Sequence, residues 1–117
     1  MWMRQFAEGI TYAFAGLRVV WKEESNFRIE IMCAVLVIAL GLLLHLSSFE
    51  FVLLFVGITS VLAAETFNTA LEELCDKFQP THDPHIAKIK DLAAAAVFLA
   101  SIGALIIGFL IFIPHLV

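Results

Sequence analysis

The fold predicted for this chain is an all-α membrane protein, an amphipathic surface helix followed by three transmembrane helices, and three observations predict it. Of its 117 residues, 62% are hydrophobic and only 15% are charged, far from the usual soluble balance of about half and a quarter. The run Leu92 to Ile113 holds 22 residues without a charge, which matches the roughly 20 needed to cross a hydrocarbon core. All seven Lys and Arg (Arg4, Arg18, Lys22, Arg28, Lys77, Lys88 and Lys90) lie before the first apolar run or between the second and the third. Three crossings put those two basic regions on one side, which the positive-inside tendency makes cytoplasmic, with the N terminus inside and the C terminus outside. A soluble four-helix bundle has no reason for such segregation.

The first element begins near residue 3. Large apolar residues recur at Phe6, Ile10, Phe14, Leu17 and Trp21, while Arg4, Glu8, Thr11, Arg18 and Lys22 fall on the opposite arc, the pattern of an amphipathic helix. Its place is the inner membrane surface, apolar side down, or a packing face within the protein. Glu8 and the lack of a small-residue cleavage site in MWMRQFAEGI argue against a removable signal peptide.

The segment KEESNFRIE joins this helix to the first crossing, and Glu23, Glu24, Arg28 and Glu30 make the junction strongly charged. Ile31 to Leu44 and Phe51 to Ala64 are each 14 uncharged residues, a length also compatible with core helices, so charge placement rather than length makes them crossings. Between the second and third crossings, Pro80, Asp83 and Pro84 interrupt helical periodicity and mark a loop. In the third, Ala96, Ala100, Ala104 and Gly108 recur every four residues, a stripe that admits a close helix neighbour, from this chain or from another. The expected organisation is one domain, 1–117, with the surface helix over about 3–25 and crossings over about 29–46, 50–76 and 87–113.

Cys33 and Cys75 lie at different depths of this arrangement and read as small apolar fillers rather than a disulfide. Ten of the eleven Asp and Glu share the inner region with the basic residues, and the net charge is −4. A polyanion would meet an acidic surface there, so nucleic-acid binding is disfavoured.

The most informative stretch is AAETFNTALEELCD, Ala63 to Asp76, which places four acids and an asparagine at the end of an apolar helix. At 100° per residue with Glu65 as zero, Asn68 falls at about 300°, Glu72 at about 340° and Asp76 at about 20°, so one stripe holds all four. Glu73, at about 80°, is off the stripe and reads as solvated. Charges at membrane depth are costly and normally face protein or water. Such a row suits a proton relay, divalent-metal coordination or general base catalysis, unless it simply ends a long helix emerging into water. Glu24 could supply a second metal ligand from the same side. Lys90 and Asp91, at the start of the third crossing, could add a cation to hold phosphate and an acid to orient it or a metal. No Walker A loop, kinase HRD or DFG set, or Gly-rich fingerprint is present in the sequence, so any nucleotide site must be built differently.

GLRVVWKEESNFRIE, AETFNTALEELCD and IAKIKDLAAAAV closely resemble segments of the small bacterial integral-membrane lipid kinases, the diacylglycerol kinase and undecaprenol kinase family. The central pattern is present as Glu65, Asn68, Ala70, Glu72 and Asp76, and a second as Lys90 to Val97. The resemblance extends over nearly the whole chain and implies a homotrimer with active sites shared between neighbouring subunits, in the bacterial inner membrane with the site facing the cytoplasm. It implies an enzyme that passes the γ-phosphoryl of ATP to the hydroxyl of a membrane alcohol, with Mg2+ as cofactor. Carried over residue by residue, Glu65 would be the general base and Glu24 and Glu72 would hold the metal on ATP. Asn68, Lys90 and Asp91 would position phosphates and reacting groups, and Tyr12 would lie in the nucleotide site. Gly9 to Trp21 and the ending IIGFLIFIP resemble the shorter Gram-positive-type members, which favours undecaprenol as the alcohol, with diacylglycerol next. Glu30 stands where many relatives carry His, and HDPHIAKIKD departs from the more usual loop, so Thr81 to Asp83 carry least of the transfer.

Two other classes compete. A proton or cation conductor lined by Glu65, Glu72 and Asp76 needs polar groups through the full depth, yet Phe51 to Ile58 has none. A scaffold that only oligomerises leaves the carboxylate stripe without a purpose.

Overall fold

In the computed structural model, which describes residues 1–79 and 81–117, the chain forms four helices: α1 (Trp2–Glu23), α2 (Ser25–Leu43), α3 (Ser48–Phe78) and α4 (Pro84–Leu116). There is no strand among the described residues. α2, α3 and α4 are each long and apolar enough to cross a membrane. The all-α class expected from composition and charge placement is the one observed.

Local chemistry sets the helix ends. α1 and α2 are separated by one extended residue, Glu24 (φ −111°, ψ 107°). α2 closes in a Schellman turn: His45 N–H donates to Leu42 O (3.3 Å) and Leu46 N–H to Gly41 O (3.1 Å), with His45 left-handed at φ 55°. A Cβ on Gly41 would stand 2.9 Å from Leu46 Cδ1, so glycine lets the hairpin fold closely onto α2. α3 opens with a reciprocal capping box, in which Ser47 Oγ accepts from Glu50 N–H and Glu50 Oε1 accepts from Ser47 N–H.

Of the three residues expected to break periodicity after α3, Pro80 lies outside the described residues. Asp83 and Pro84 start a helix rather than interrupt one. Asp83 Oδ1 accepts from His85 N–H (2.8 Å) and Ile86 N–H (3.2 Å), and Pro84 takes the first turn, where its missing N–H is not needed.

α3 and α4 make the most extensive pair, with α2 against α3 and α1 touching α2 and α3 near its end. The α3–α4 pair is antiparallel and joined at both ends by polar contacts. Glu50 Oε2 meets His115 Nε2 at 3.0 Å, and Asp76 Oδ1 meets Lys90 Nζ at 2.5 Å. Midway, Gly57 lies against Ala104, whose Cα would be 3.5 Å from a Cβ on Gly57. Part of the small-residue stripe on α4 is therefore used within the chain.

The buried core is small. Leu46, Leu54 and Ile111 form it at the α2–α3 hairpin end, flanked by Val37, Phe51 and Ile107. Most other large apolar residues are exposed, including Trp2, Phe6, Phe14 and Trp21 on α1 and Phe98, Leu99 and Phe109 on α4. In water so much exposed apolar surface would be a liability; in lipid it is the expected outer face. Four hydroxyls along α3 are satisfied within the helix, with Thr59 donating to Phe55 O, Ser60 to Val56 O, Thr66 to Leu62 O and Thr69 to Glu65 O.

Candidate active site

α3 runs unbroken through the carboxylate stretch, so Glu65, Asn68, Glu72 and Asp76 share one face of a continuous helix. Glu65 is the deepest of them and only 6% exposed. Its carboxylate is close enough to Glu24, Glu30 and Glu72 for their charges to interact. The corner between α1 and α2 thus brings Glu24 to α3, and the second turn of α2 brings Glu30. One helical turn past Glu65, Asn68 Nδ2 donates to Glu72 Oε1 (3.3 Å), while the buried Asn68 Oδ1 has no hydrogen-bond partner among the described residues.

Two cavities flank this row. The larger, about 610 Å³, is an apolar groove between α2, α3 and α4 whose lining includes Glu30, Val37, Leu54, Leu62, Ala104 and Phe112. Glu30 is the one carboxylate in its described lining and stands at the end nearer the acidic stretch, with Oε2 buried and without a partner among the described residues. The smaller, about 210 Å³, is polar, and Asp76, Gln79, Thr81, His82, Asp83 and Lys90 are among its lining. Gln79 Nε2 donates to Thr81 Oγ1 there (3.2 Å).

The structure therefore gathers Glu24, Glu65, Asn68 and Glu72, and it sets Lys90 beside Asp76 at the next turn. Asp91 is exposed at the start of α4, and Tyr12 is exposed on α1; neither side chain makes a hydrogen bond among the described residues. Glu73 is exposed, away from the row.

The family model for prokaryotic diacylglycerol kinase matches residues 11–112. The chain belongs to the prokaryotic diacylglycerol kinase family. Among its relatives, the undecaprenol kinase of Bacillus subtilis (strain 168) is 32% identical over 114 residues, covering 97% of this chain and 93% of that protein. The diacylglycerol kinase of Synechocystis sp. is 39% identical over 106 residues, 90% of this chain but only 61% of that longer protein. The diacylglycerol kinase of Escherichia coli (strain K12) is 30% identical over 95 residues, 81% of this chain and 78% of that protein.

A kinase of this family needs a place for a polyphosphate and its cation. Among the described residues, no three His, Cys, Asp or Glu side chains come together as a metal-binding group. Glu24, Glu72 and the unpartnered Asn68 Oδ1 nevertheless offer hard oxygens. That donor set suits Mg2+, which usually keeps waters and is held by one or two carboxylates plus substrate phosphates. The residues fit a cation delivered on a nucleotide, not one caged by protein.

Glu30, which lines the apolar groove, reads in the sequence only as part of a polar junction. Its position directly before the apolar run beginning at Ile31 was the available signal, since a carboxylate at that depth needs a reason.

Proposed function

We propose that this lipid kinase transfers the γ-phosphoryl group of Mg2+-bound ATP to the hydroxyl of undecaprenol, with diacylglycerol as the second candidate. The observation that carries the reading is the apolar groove that ends at Glu30, beside the buried Glu65. Its α2 wall, from Glu30 to Leu40, is about 15 Å long at 1.5 Å per residue. A hydrocarbon chain lying in it would present its hydroxyl head to carboxylates rather than to water. The preference for undecaprenol rests on the Bacillus subtilis relative, matched over nearly its whole length. The Synechocystis and Escherichia coli relatives keep diacylglycerol in play.

In this mechanism Glu65 accepts the proton of the lipid hydroxyl as its oxygen attacks the γ-phosphorus, and the bond from that phosphorus to the β,γ-bridging oxygen breaks to release ADP. Glu24 and Glu72 would hold the cation, which when bound would neutralise phosphate charge. Asn68 orients Glu72 through its amide, and its carbonyl oxygen would help to hold the cation. Lys90 exchanges Asp76 for phosphate oxygen, Asp91 orients the reacting groups, and Tyr12 contributes to the nucleotide site. In-line positioning and charge neutralisation supply most of the acceleration in such transfers. The working assembly is a homotrimer with shared sites in a bacterial inner membrane, with the N terminus and site cytoplasmic.

A conductor finds no support in this arrangement, because the hydroxyls of Thr59 and Ser60 are turned to their own helix and extend no polar path beyond Glu65. The test is ATP consumption in detergent micelles with undecaprenol, with diacylglycerol and without lipid. Undecaprenol-dependent turnover at least several-fold above diacylglycerol is expected. The reverse order makes diacylglycerol the substrate, and lipid-independent consumption removes the lipid reading.

A further inference from the structure

Glu24 is placed by a corner only one residue long. It caps the end of α1, with its N–H donating to Val20 O (3.0 Å), and it precedes the first turn of α2, with its carbonyl accepting from Arg28 N–H (3.4 Å). Its carboxylate makes no capping hydrogen bond, so its direction follows that of the backbone at the corner. Val20 and Phe27 are buried on either side. Neither side chain has a polar group to fix the angle of the corner.

The polar fixing comes from Arg28. From the first turn of α2 its Nη1 reaches back to donate to Trp21 O (2.6 Å) and Lys22 O (3.0 Å). The last carbonyls of a helix lack intrahelical partners and carry partial negative charge, so a guanidinium bonded to two of them both satisfies and neutralises the end of α1. A single side chain thereby spans the extended residue and couples the direction of α1 to that of α2. A lysine in its place would keep the charge but lose the planar head from which Arg donates in a fixed geometry.

We propose that Arg28 is a positioning residue for the kinase reaction: by holding the terminal carbonyls of α1 it fixes the one-residue corner at Glu24, and so the carboxylate that Glu24 presents to the nucleotide-bound cation. This rests on the reading of Glu24 as a metal ligand. Arg28 touches neither substrate nor cation, and its effect passes entirely through Glu24.

The experiment measures Mn2+ binding by electron paramagnetic resonance, with a non-hydrolysable ATP analogue and no lipid, on the full chain and on Arg28→Gln, Arg28→Lys, Glu24→Gln and the Arg28→Gln/Glu24→Gln double variant. Residues that orient a ligand typically change metal affinity by about 10- to 100-fold, so Arg28→Gln is expected to weaken Mn2+ binding by about that factor, with Arg28→Lys between it and the parent. In the Glu24→Gln background, Arg28→Gln should add nothing, and the KM for the lipid alcohol in turnover assays should stay at the parent value in both Arg28 variants. Should Arg28→Gln fail to fold, Arg28→Lys decides by the same shift at constant lipid KM. Parent-like Mn2+ binding in a folded Arg28 variant, when Glu24→Gln has lost it, overturns the inference alone. An undiminished effect of Arg28→Gln in the Glu24→Gln background also overturns it alone. Parent-like Mn2+ binding in Glu24→Gln overturns the reading of Glu24 as a ligand, and the inference falls with it.

Discussion

Lys90 Nζ and Asp76 Oδ1 stand 2.5 Å apart, so the lysine assigned to phosphate is held by a carboxylate on the neighbouring helix. The pair is substantially exposed, at 36% and 64% for the two side chains, and exposed ion pairs of this kind are worth about 0–1 kcal/mol. A polyphosphate can therefore displace Asp76 at little cost. Replacing Lys90 by Met is expected to lower kcat/KM for ATP by about 10- to 100-fold, the worth of a charge-assisted hydrogen bond, with the KM for lipid unchanged. Asp76→Asn should change unfolding stability by less than about 1 kcal/mol. An unaltered ATP dependence in folded Lys90→Met would remove the lysine from the phosphate site.

Glu65 is tested by an isosteric change. Glu65→Gln keeps shape and burial but removes the proton acceptor, so turnover should fall by about 10²- to 10⁴-fold while binding of the magnesium nucleotide stays near the parent value. Isothermal titration with a non-hydrolysable analogue separates the two. Retained turnover would send the proton elsewhere, and lost nucleotide binding would make Glu65 a ligand.

Glu72 is expected to show in the metal dependence. Glu72→Gln should raise the Mg2+ concentration for half-maximal rate and lower the rate itself, because an amide is a weaker ligand than a carboxylate. Titrating Mg2+ at saturating ATP and lipid checks it, and an unshifted curve in folded protein removes Glu72 from the ligand set.

Charge placement predicts the topology. With every Lys and Arg before the first apolar run or between the second and the third, reporter tags should place the N terminus in the cytoplasm and the C terminus on the opposite face. Both termini on the same face would exclude three crossings.

Gly57 is expected to control the spacing of α3 and α4. A Cβ there would only touch Ala104, 3.5 Å away, so Gly57→Ala should be tolerated, whereas Gly57→Leu must push the helices apart and destabilise by about 1–3 kcal/mol. Thermal unfolding in detergent compares the two, and equal stabilities would show that the close approach carries no energetic weight.

The helices and the acidic row were legible because both follow local periodicity. A run such as Leu92 to Ile113 declares its solvent by composition, and the spacing of Glu65, Asn68, Glu72 and Asp76 needs only a helix to become a face. What stayed hidden depends on residues far apart in sequence. Nothing near Gly57 announces Ala104, and nothing near Glu50 announces His115, since such pairs exist only once the helices have docked. The capping box at Ser47 and Glu50 is a different case, because its Ser-x-x-Glu spacing was readable. Arg28 read as one more inner-side cation, because a side chain that reaches back to cap the preceding helix looks the same in sequence as one that points to water.

α3 holds 31 residues, about 47 Å of helix, against a hydrocarbon layer of roughly 30 Å. Glu65 and Glu72 are seven positions apart, about 10 Å along the axis. On the proposed roles of Glu65 and Glu72, the helix works as a depth gauge with two marks, one where a substrate that cannot leave the lipid must offer its hydroxyl and one where a substrate that cannot enter the lipid must offer its phosphate. Bilayer thickness then becomes a variable of the reaction. In thicker membranes the first mark should sink away from the water-borne donor, in thinner ones the alcohol should be left short of it, and the rate should peak where both substrates reach their marks at once.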